Sequence, residues 1–259
     1  MRRTLLASFT LVAVLWAPNA RAADTWDTAY PGVRLLHRTS SAPDDIYVAF
    51  VDLCELGVST RVTASDDRGM TTSAWAQHEG LPIAINAGFY NMETMAPIGL
   101  VVSEFSPWPD SGDSSGVGWF AFDERNGVVL SSLAEIRPFE SWMKSVVPGM
   151  PMLVDNGAAL DIPCNSHWCE RHPRTAVGID DDTNELLLVV VDGRTTIARG
   201  MTCAELAQLM VGLGADRALN LDGGGSTTLY IQSLGGVINN PSGGSQRTVS
   251  NHLGLLAGG

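Results

Sequence analysis

The chain has 259 residues, 45% of them hydrophobic, and a formal net charge of −12 from 16 basic and 28 acidic side chains. That length suits one large domain or two small ones, with apolar residues enough for a core. The negative charge argues against nucleic acid or an anionic membrane surface as a partner, while a few local arginines could still hold an anionic ligand.

The first segment reads as a leader. Arg2 and Arg3 precede an apolar run from Leu5 to Trp16, and Ala20-Arg21-Ala22 supplies small residues at cleavage spacing. This is the pattern of a secretory signal peptide over residues 1–22, cut after Ala22. The run is short for a membrane span, and no later segment is long and apolar enough to cross a bilayer. The expectation is an exported chain, periplasmic or secreted, with one domain over residues 23–259 and no transmembrane segment. Removing Arg2, Arg3 and Arg21 takes the formal charge to −15.

Further along, residues 46–52 and 57–63 read as strands. Residues 71–79 read as a helix, capped by Thr71, Thr72 or Ser73 and stopped by Gly80. A short apolar strand over 82–86 leads into Ala87-Gly88-Phe89-Tyr90, and another strand spans 98–103. Residues 106–116 are rich in Pro, Gly, Ser and Asp and read as a loop. Residues 117–122 and 128–130 flank Asn126-Gly127, a strong hairpin signal, and 139–146 is a short helix candidate. A second hairpin is expected from 175–179 and 185–191. Thr202-Cys203-Ala204-Glu205 has the form of a capping box, opening a helix to about Leu213. Strands over 218–221, 227–232 and 252–256 complete the pattern, with a glycine-rich loop at 241–246. Many short strands, tight turns and few helices indicate an α+β protein, a single domain built on a mixed, mainly antiparallel sheet.

Four cysteines in an exported chain suggest disulfides. Cys164 and Cys169 are close enough in sequence for a local bridge, whereas Cys54 and Cys203 are either a pair or two buried thiols. Cys164, His167, Cys169 and His172 also form a ligand-rich set that could hold zinc, although their spacing matches no common zinc module.

The densest chemical signal is Asn220-Leu221-Asp222-Gly223-Gly224-Gly225-Ser226-Thr227-Thr228. A carboxylate ends an apolar strand, and three glycines follow. Bare backbone allows close approach, and successive N–H groups can cradle an anion. The alternative is a tight turn with Asp222 as its former. It is not a P-loop, which needs Gly-x-x-x-x-Gly-Lys-Ser/Thr. Asn86, Arg174, Asp192 and Arg247 stand likewise at or beside the ends of apolar runs. The set of two carboxylates, two arginines and an amide suits a sugar joined to phosphate. Arginine's fixed fork matches phosphate, and a carboxylate can stabilise or attack an oxocarbenium-like centre. Of the scattered histidines, His252, following Arg247 and Asn251, is the best catalytic candidate. The Asp180-Asp181-Asp182 turn reads as a solvated acidic turn.

Asn86-Ala87-Gly88-Phe89-Tyr90, Pro173-Arg174-Thr175-Ala176-Val177-Gly178, Val191-Asp192-Gly193-Arg194, Asn220 to Thr227 and Arg247-x-Val249-x-Asn251 occur in this order. The chain resembles the phosphodiester glycosidase family from about Asn86 to Leu256, most specifically in its Asp-Gly-Gly-Gly-Ser block. Ala87 and Asn251-His252 depart from the commoner residues of that pattern. The resemblance implies hydrolysis of the bond between a sugar's anomeric carbon and a phosphodiester oxygen. It implies Asp222 and Asp192 as catalytic carboxylates; the residues themselves favour Asp222, since the triple glycine beside it leaves a ligand free to approach. Asn86, Arg174, Gly223, Gly224, Gly225, Ser226, Arg247 and Asn251 would surround the substrate. No cofactor and no metal are expected. A non-catalytic phosphoglycan-binding module and a metal-dependent phosphodiesterase are the competing readings.

Overall fold

The computed structural model describes residues 23–40, 44–114, 116–131 and 137–257; the leader expected at residues 1–22 lies outside them. Three antiparallel sheets carry the fold. The largest has eight strands in the order Ala23–Tyr30, Val33–Ser40, Asp44–Asp52, Glu185–Val191, Arg174–Asp180, Arg217–Asn220, Met152–Asp155 and Ala158–Ala159. A second, five-stranded sheet orders Gly236–Val237, Leu229–Ile231, Ile83–Asn86, His252–Leu256 and Ser59–Val62. The third, also five-stranded, centres on Ser145–Gly149 and Gly118–Phe122. No pair of described strands runs parallel.

The central strands of the large sheet, Arg174–Asp180 and Glu185–Val191, are buried on both faces, and their continuous apolar runs account for it. One face packs on Ile83, Ile85, Leu229, Leu253 and Leu255 of the second sheet. The other face is covered by the helix Cys203–Gly212 through Cys203, Leu206, Ala207 and Met210. That helix opens on the expected capping box: Thr202 Oγ1 accepts from Glu205 N, and Glu205 accepts from Thr202 N. The helix Thr72–Glu79 is capped by Thr71 and ends at Gly80. These two helices therefore form where their caps lie.

Residues 139–146 are not helical. The segment turns at 141–142 and enters the strand Ser145–Gly149, which pairs with Gly118–Phe122 on one side and meets Val102 on the other. Met143, Val146 and Val147 are buried between these layers, and tertiary pairing overrides the weak helical pattern. The hairpin of Ala23–Tyr30 with Val33–Ser40, which extends the large sheet, carries no reading in the sequence pattern above. No described helix is long and apolar enough to cross a membrane.

Sheet register collects the site. Ala176 pairs with Asn220, and Arg174 pairs with Val191. The start of one strand therefore meets the ends of its two antiparallel neighbours, so Arg174, Asp192 and Asp222 emerge at one edge. Asn86 joins the two sheets there: its Nδ2 donates to the Asp222 carbonyl at 2.6 Å.

Candidate active site

A cavity of about 440 Å³ opens at that edge. Asp222, the glycines 223–225 and the guanidinium groups of Arg174, Arg194 and Arg247 line it. Phe89, Ile98, Met150, His167, Trp168 and His172 complete the lining. Asp222 is the one carboxylate among them.

Gly223 is extended and leads into a 3₁₀ turn over Gly224–Ser226, which ends at Thr227. A side chain on Gly223 would sit 2.6 Å from the Pro173 carbonyl, and one on Gly225 2.4 Å from Arg247 Nη2. The absence of Cβ atoms is thus what lets Arg247 lie over the turn. Arg194 approaches Gly224 from another side and contacts His172 Nδ1 at 3.2 Å through Nη2. Arg194 holds a left-handed φ of 62°, a conformation that long side chains adopt at some cost. Neither Arg194 nor Arg247 has a carboxylate within ion-pair distance among the described residues, unlike Arg34, Arg38, Arg61, Arg68, Arg171 and Arg217. These two exposed cations, beside open backbone, make a local positive field in an acidic protein.

Burial pushes the Asp222 carboxyl up to about 6, against the pull of Ser226, Arg247 and the Gly223 N–H. Ser226 Oγ lies near that carboxylate, yet it is buried without a hydrogen bond of good geometry. Tyr90 belongs to the same group: its hydroxyl donates to the Thr248 carbonyl at 3.0 Å. Burial and the nearby Asp222 charge raise its phenol above the ordinary value.

The structure gives the remaining candidates different settings. Arg174 is 4% exposed, and its Nε donates to Met201 O while Nη2 donates to His167 O and Glu170 O. It fastens the loop that carries His167 and Glu170, and it is among the residues that line the cavity. Asn86, Asp192, Ser226 and Asn251 do not line the cavity. Asn86 Oδ1 accepts from Thr175 Oγ1 and Thr228 N, so this side chain ties three segments together. Asn251 Oδ1 accepts from Gly88 N at 2.7 Å, and its Nδ2 is buried without a partner. Asp192, 2% exposed, accepts from Asn239 Nδ2 at 2.8 Å and from Asn240 N at 2.7 Å. Arg194 is not its ion-pair partner. Burial raises the Asp192 carboxyl to about 6. His252 is fully buried, stacked on Trp75 at 4.9 Å, and burial lowers it to about 3, so it is a neutral core histidine.

Cys164 and Cys169 are joined in a disulfide that holds the turn Ser166–Cys169, from which His167 and Trp168 reach the cavity. With both thiols so engaged, the zinc set at this loop is not available. Cys54 is exposed and Cys203 buried, both unpaired. A looser trio, Asp67, His78 and Glu79, is clustered away from the lining residues on and before the first helix. The acidic turn is self-contained: Asp180 caps the N–H groups of Asp182 and Thr183, and Asp181 pairs with Arg217. The site residues that sequence pattern did not single out are Phe89, Tyr90, Ile98, Met150 and Arg194. Phe89, Tyr90 and Arg194 lay inside quoted motifs; Ile98 and Met150 carried no signal.

Comparison with known proteins finds relatives in sequence and in fold. The bovine N-acetylglucosamine-1-phosphodiester alpha-N-acetylglucosaminidase is 29% identical over 181 residues, 63% of this chain and 34% of the relative. The mouse enzyme of the same description is 29% identical over 184 residues. The chain spans about a third of the length of these curated relatives. Among solved structures, a hypothetical protein from Synechocystis matches with a TM-score of 0.68 at 17% identity, covering 91% of this chain and 64% of that one. The catalytic domain of the zebrafish N-acetylglucosaminidase, auto-inhibited by its pro-peptide, matches with a TM-score of 0.65 at 20% identity, covering 94% and 84%. These two structures share the fold. The sequence profile described as phosphodiester glycosidase matches residues 79–256, which include every residue that lines the cavity. The chain belongs to the phosphodiester glycosidase family.

Proposed function

We propose that this protein is an exported hydrolase that cleaves the glycosidic C–O bond of sugar-1-phosphodiesters, of the N-acetylglucosamine type or within an envelope phosphoglycan. The observation that carries the reading is a cavity with one carboxylate, Asp222, beside the three-glycine turn and two guanidinium groups, Arg194 and Arg247, that make no ion pair among the described residues. The arginines and the Gly223–Gly225 backbone hold the phosphodiester anion. Asp222 meets the anomeric carbon as positive charge develops there. The C1–O bond breaks, its electron pair leaves on the phosphate oxygen as a phosphomonoester, and water supplies the hydroxyl to C1 and a proton to solvent. Phosphate leaves readily, so the cavity's single carboxylate is consistent with a low demand for a general acid. The disulfide at Cys164–Cys169 supports export, because such bonds persist in oxidising compartments.

Hydrolysis of a sugar-1-phosphodiester in oxygen-18 water tests the reading. Label in the released sugar supports it. Label in the phosphate means P–O cleavage and refutes it. Binding without turnover of a panel of sugar-1-phosphodiesters would favour a phosphoglycan-binding module instead.

A further inference from the structure

The cavity has a second face whose chemistry differs from the cationic turn. Phe89, Ile98 and Met150 line it, yet none of the three belongs to any of the hydrophobic clusters that make the core. Ile98 is 40% exposed. Its N–H bonds to the Phe89 carbonyl at 2.8 Å, so these two side chains are delivered together by one loop. Trp168 meets Phe89 edge-on at 6.3 Å, and the disulfide and Arg174 hold its turn in place. The lining contains no Ser, Thr, Asn, Gln or Glu side chain. Each hydroxyl taken from water needs a hydrogen-bond partner, and among the lining side chains only Asp222, the two histidines, the arginines and the Trp168 N–H offer one. An aromatic face alone would also suit a sugar ring, but an isoleucine and a methionine beside it offer aliphatic surface and nothing to hydroxyls. The loops that carry these residues and Arg194 also expose Met92 (68%) and Ile197 (67%). Large apolar side chains left out of the core and facing a concave site indicate a ligand with apolar surface. The adjoining arginines say that the same ligand carries an anion.

The geometry points to an aliphatic aglycone: the group esterified to the far side of the phosphate is an alkyl chain, seated on Phe89, Ile98, Met150 and Trp168 while the phosphodiester sits at Arg194, Arg247 and the glycine turn. This rests on the anion-site half of the proposed function and sharpens its substrate class to glycosyl alkyl phosphodiesters.

Binding of sugar-free probes separates this from catalysis. Affinities of dimethyl, dibutyl and diglyceryl phosphate are measured by titration calorimetry or tryptophan fluorescence. A fully buried methylene is worth about fourfold in affinity. One butyl chain adds three methylenes over methyl, and half-covering them on an open wall gives about tenfold. Dibutyl phosphate should therefore bind about tenfold tighter than dimethyl or diglyceryl phosphate. Ile98→Ser, at an exposed site outside the core, should cut that ratio to less than threefold. Arg247→Ala should weaken all three probes together and preserve the ratio. Equal affinities, or tighter binding of the diglyceryl probe, overturn the inference, as does failure of every probe to bind. If the alkyl preference holds while no glycosyl alkyl phosphodiester is hydrolysed, the apolar wall stands and the catalytic reading falls. If such diesters are hydrolysed with no preference for alkyl over glyceryl, the catalytic reading stands and the inference falls.

Discussion

Replacing Asp192 with Asn separates a catalytic carboxylate from one that holds the frame of the site. Asp192 is 2% exposed and accepts two hydrogen bonds, from the Asn239 side chain at 2.8 Å and the Asn240 N–H at 2.7 Å. Asn239 in turn donates to the Thr227 carbonyl, directly after the glycine turn, and accepts from Leu229 N. Asp192 thus fixes the start of the segment that runs on to Arg247. The Asn variant keeps one acceptor but turns an NH₂ group toward one of the two donors. Losing a hydrogen bond to a charged group costs about 1.5–3 kcal/mol. Removing a buried charge, whose desolvation holds the carboxyl at about 6, offsets part of that. A net loss of about 2 kcal/mol should lower the melting temperature by about 4–8 °C for a domain of this size. Activity on a verified sugar-phosphodiester should fall chiefly through KM, because Arg247 is displaced while Asp222 remains. Calorimetry and steady-state kinetics on Asp192→Asn check both parts. A variant with wild-type melting temperature and no turnover would refute the argument and make Asp192 the catalytic group.

The remaining predictions concern the cavity itself. Asp222→Asn should lower kcat by at least a thousandfold with the melting temperature unchanged or raised, since charge stabilisation acts in the transition state; full activity would place the chemistry elsewhere. Because the free carboxyl titrates near 6, wild-type kcat/KM should fall about tenfold per pH unit below that value, and a profile flat from pH 5 to 7 would refute an ionised Asp222. The same two carboxyls, raised from 3.8 to about 6, bind protons in the folded chain before the unfolded one, so their contribution to stability grows as pH falls from about 6 to 4 and is lost as pH rises through 6. Asp24 and Asp110, held below 3.8 by their hydrogen bonds to Arg38 and Arg68, act in the opposite sense and only under that range. Arg247→Ala should raise KM about 10- to 100-fold at unchanged melting temperature, whereas Arg174→Ala should lower the melting temperature first, because three carbonyls lose their donor; the reverse pattern would return Arg174 to the role of phosphate anchor. Reduction of Cys164–Cys169, followed by intact mass, should raise KM while barely altering stability, since so short a loop constrains the unfolded chain little; an unchanged KM would show that the bridge does not position Trp168.

By itself the sequence determined what is local. The caps at Thr71 and Thr202 act within one turn of their helices, and the hairpins around Asn126-Gly127 and residues 180–184 are set by their own turn residues. The Cys164–Cys169 bridge joins near neighbours in the chain, and the Asp222 glycine turn is chemically distinctive in any fold. Tertiary structure decided what depends on partners distant in the chain. Residues 139–146 became turn and strand because Gly118–Phe122 offered a ladder. Arg174 and Arg247 are equivalent as letters, but three carbonyls enclose the first and glycine backbone exposes the second. Asp192 and Asp222 end similar apolar strands; the segment at Asn239 and Asn240 covers one, while the other opens on the cavity. Ile98 and Met150 join the site only because sheet register brings their loops to the same edge. A side chain's type limits the chemistry it can perform, but its solvent, its partners and so its charge are properties of the packed neighbours, which sequence adjacency does not specify.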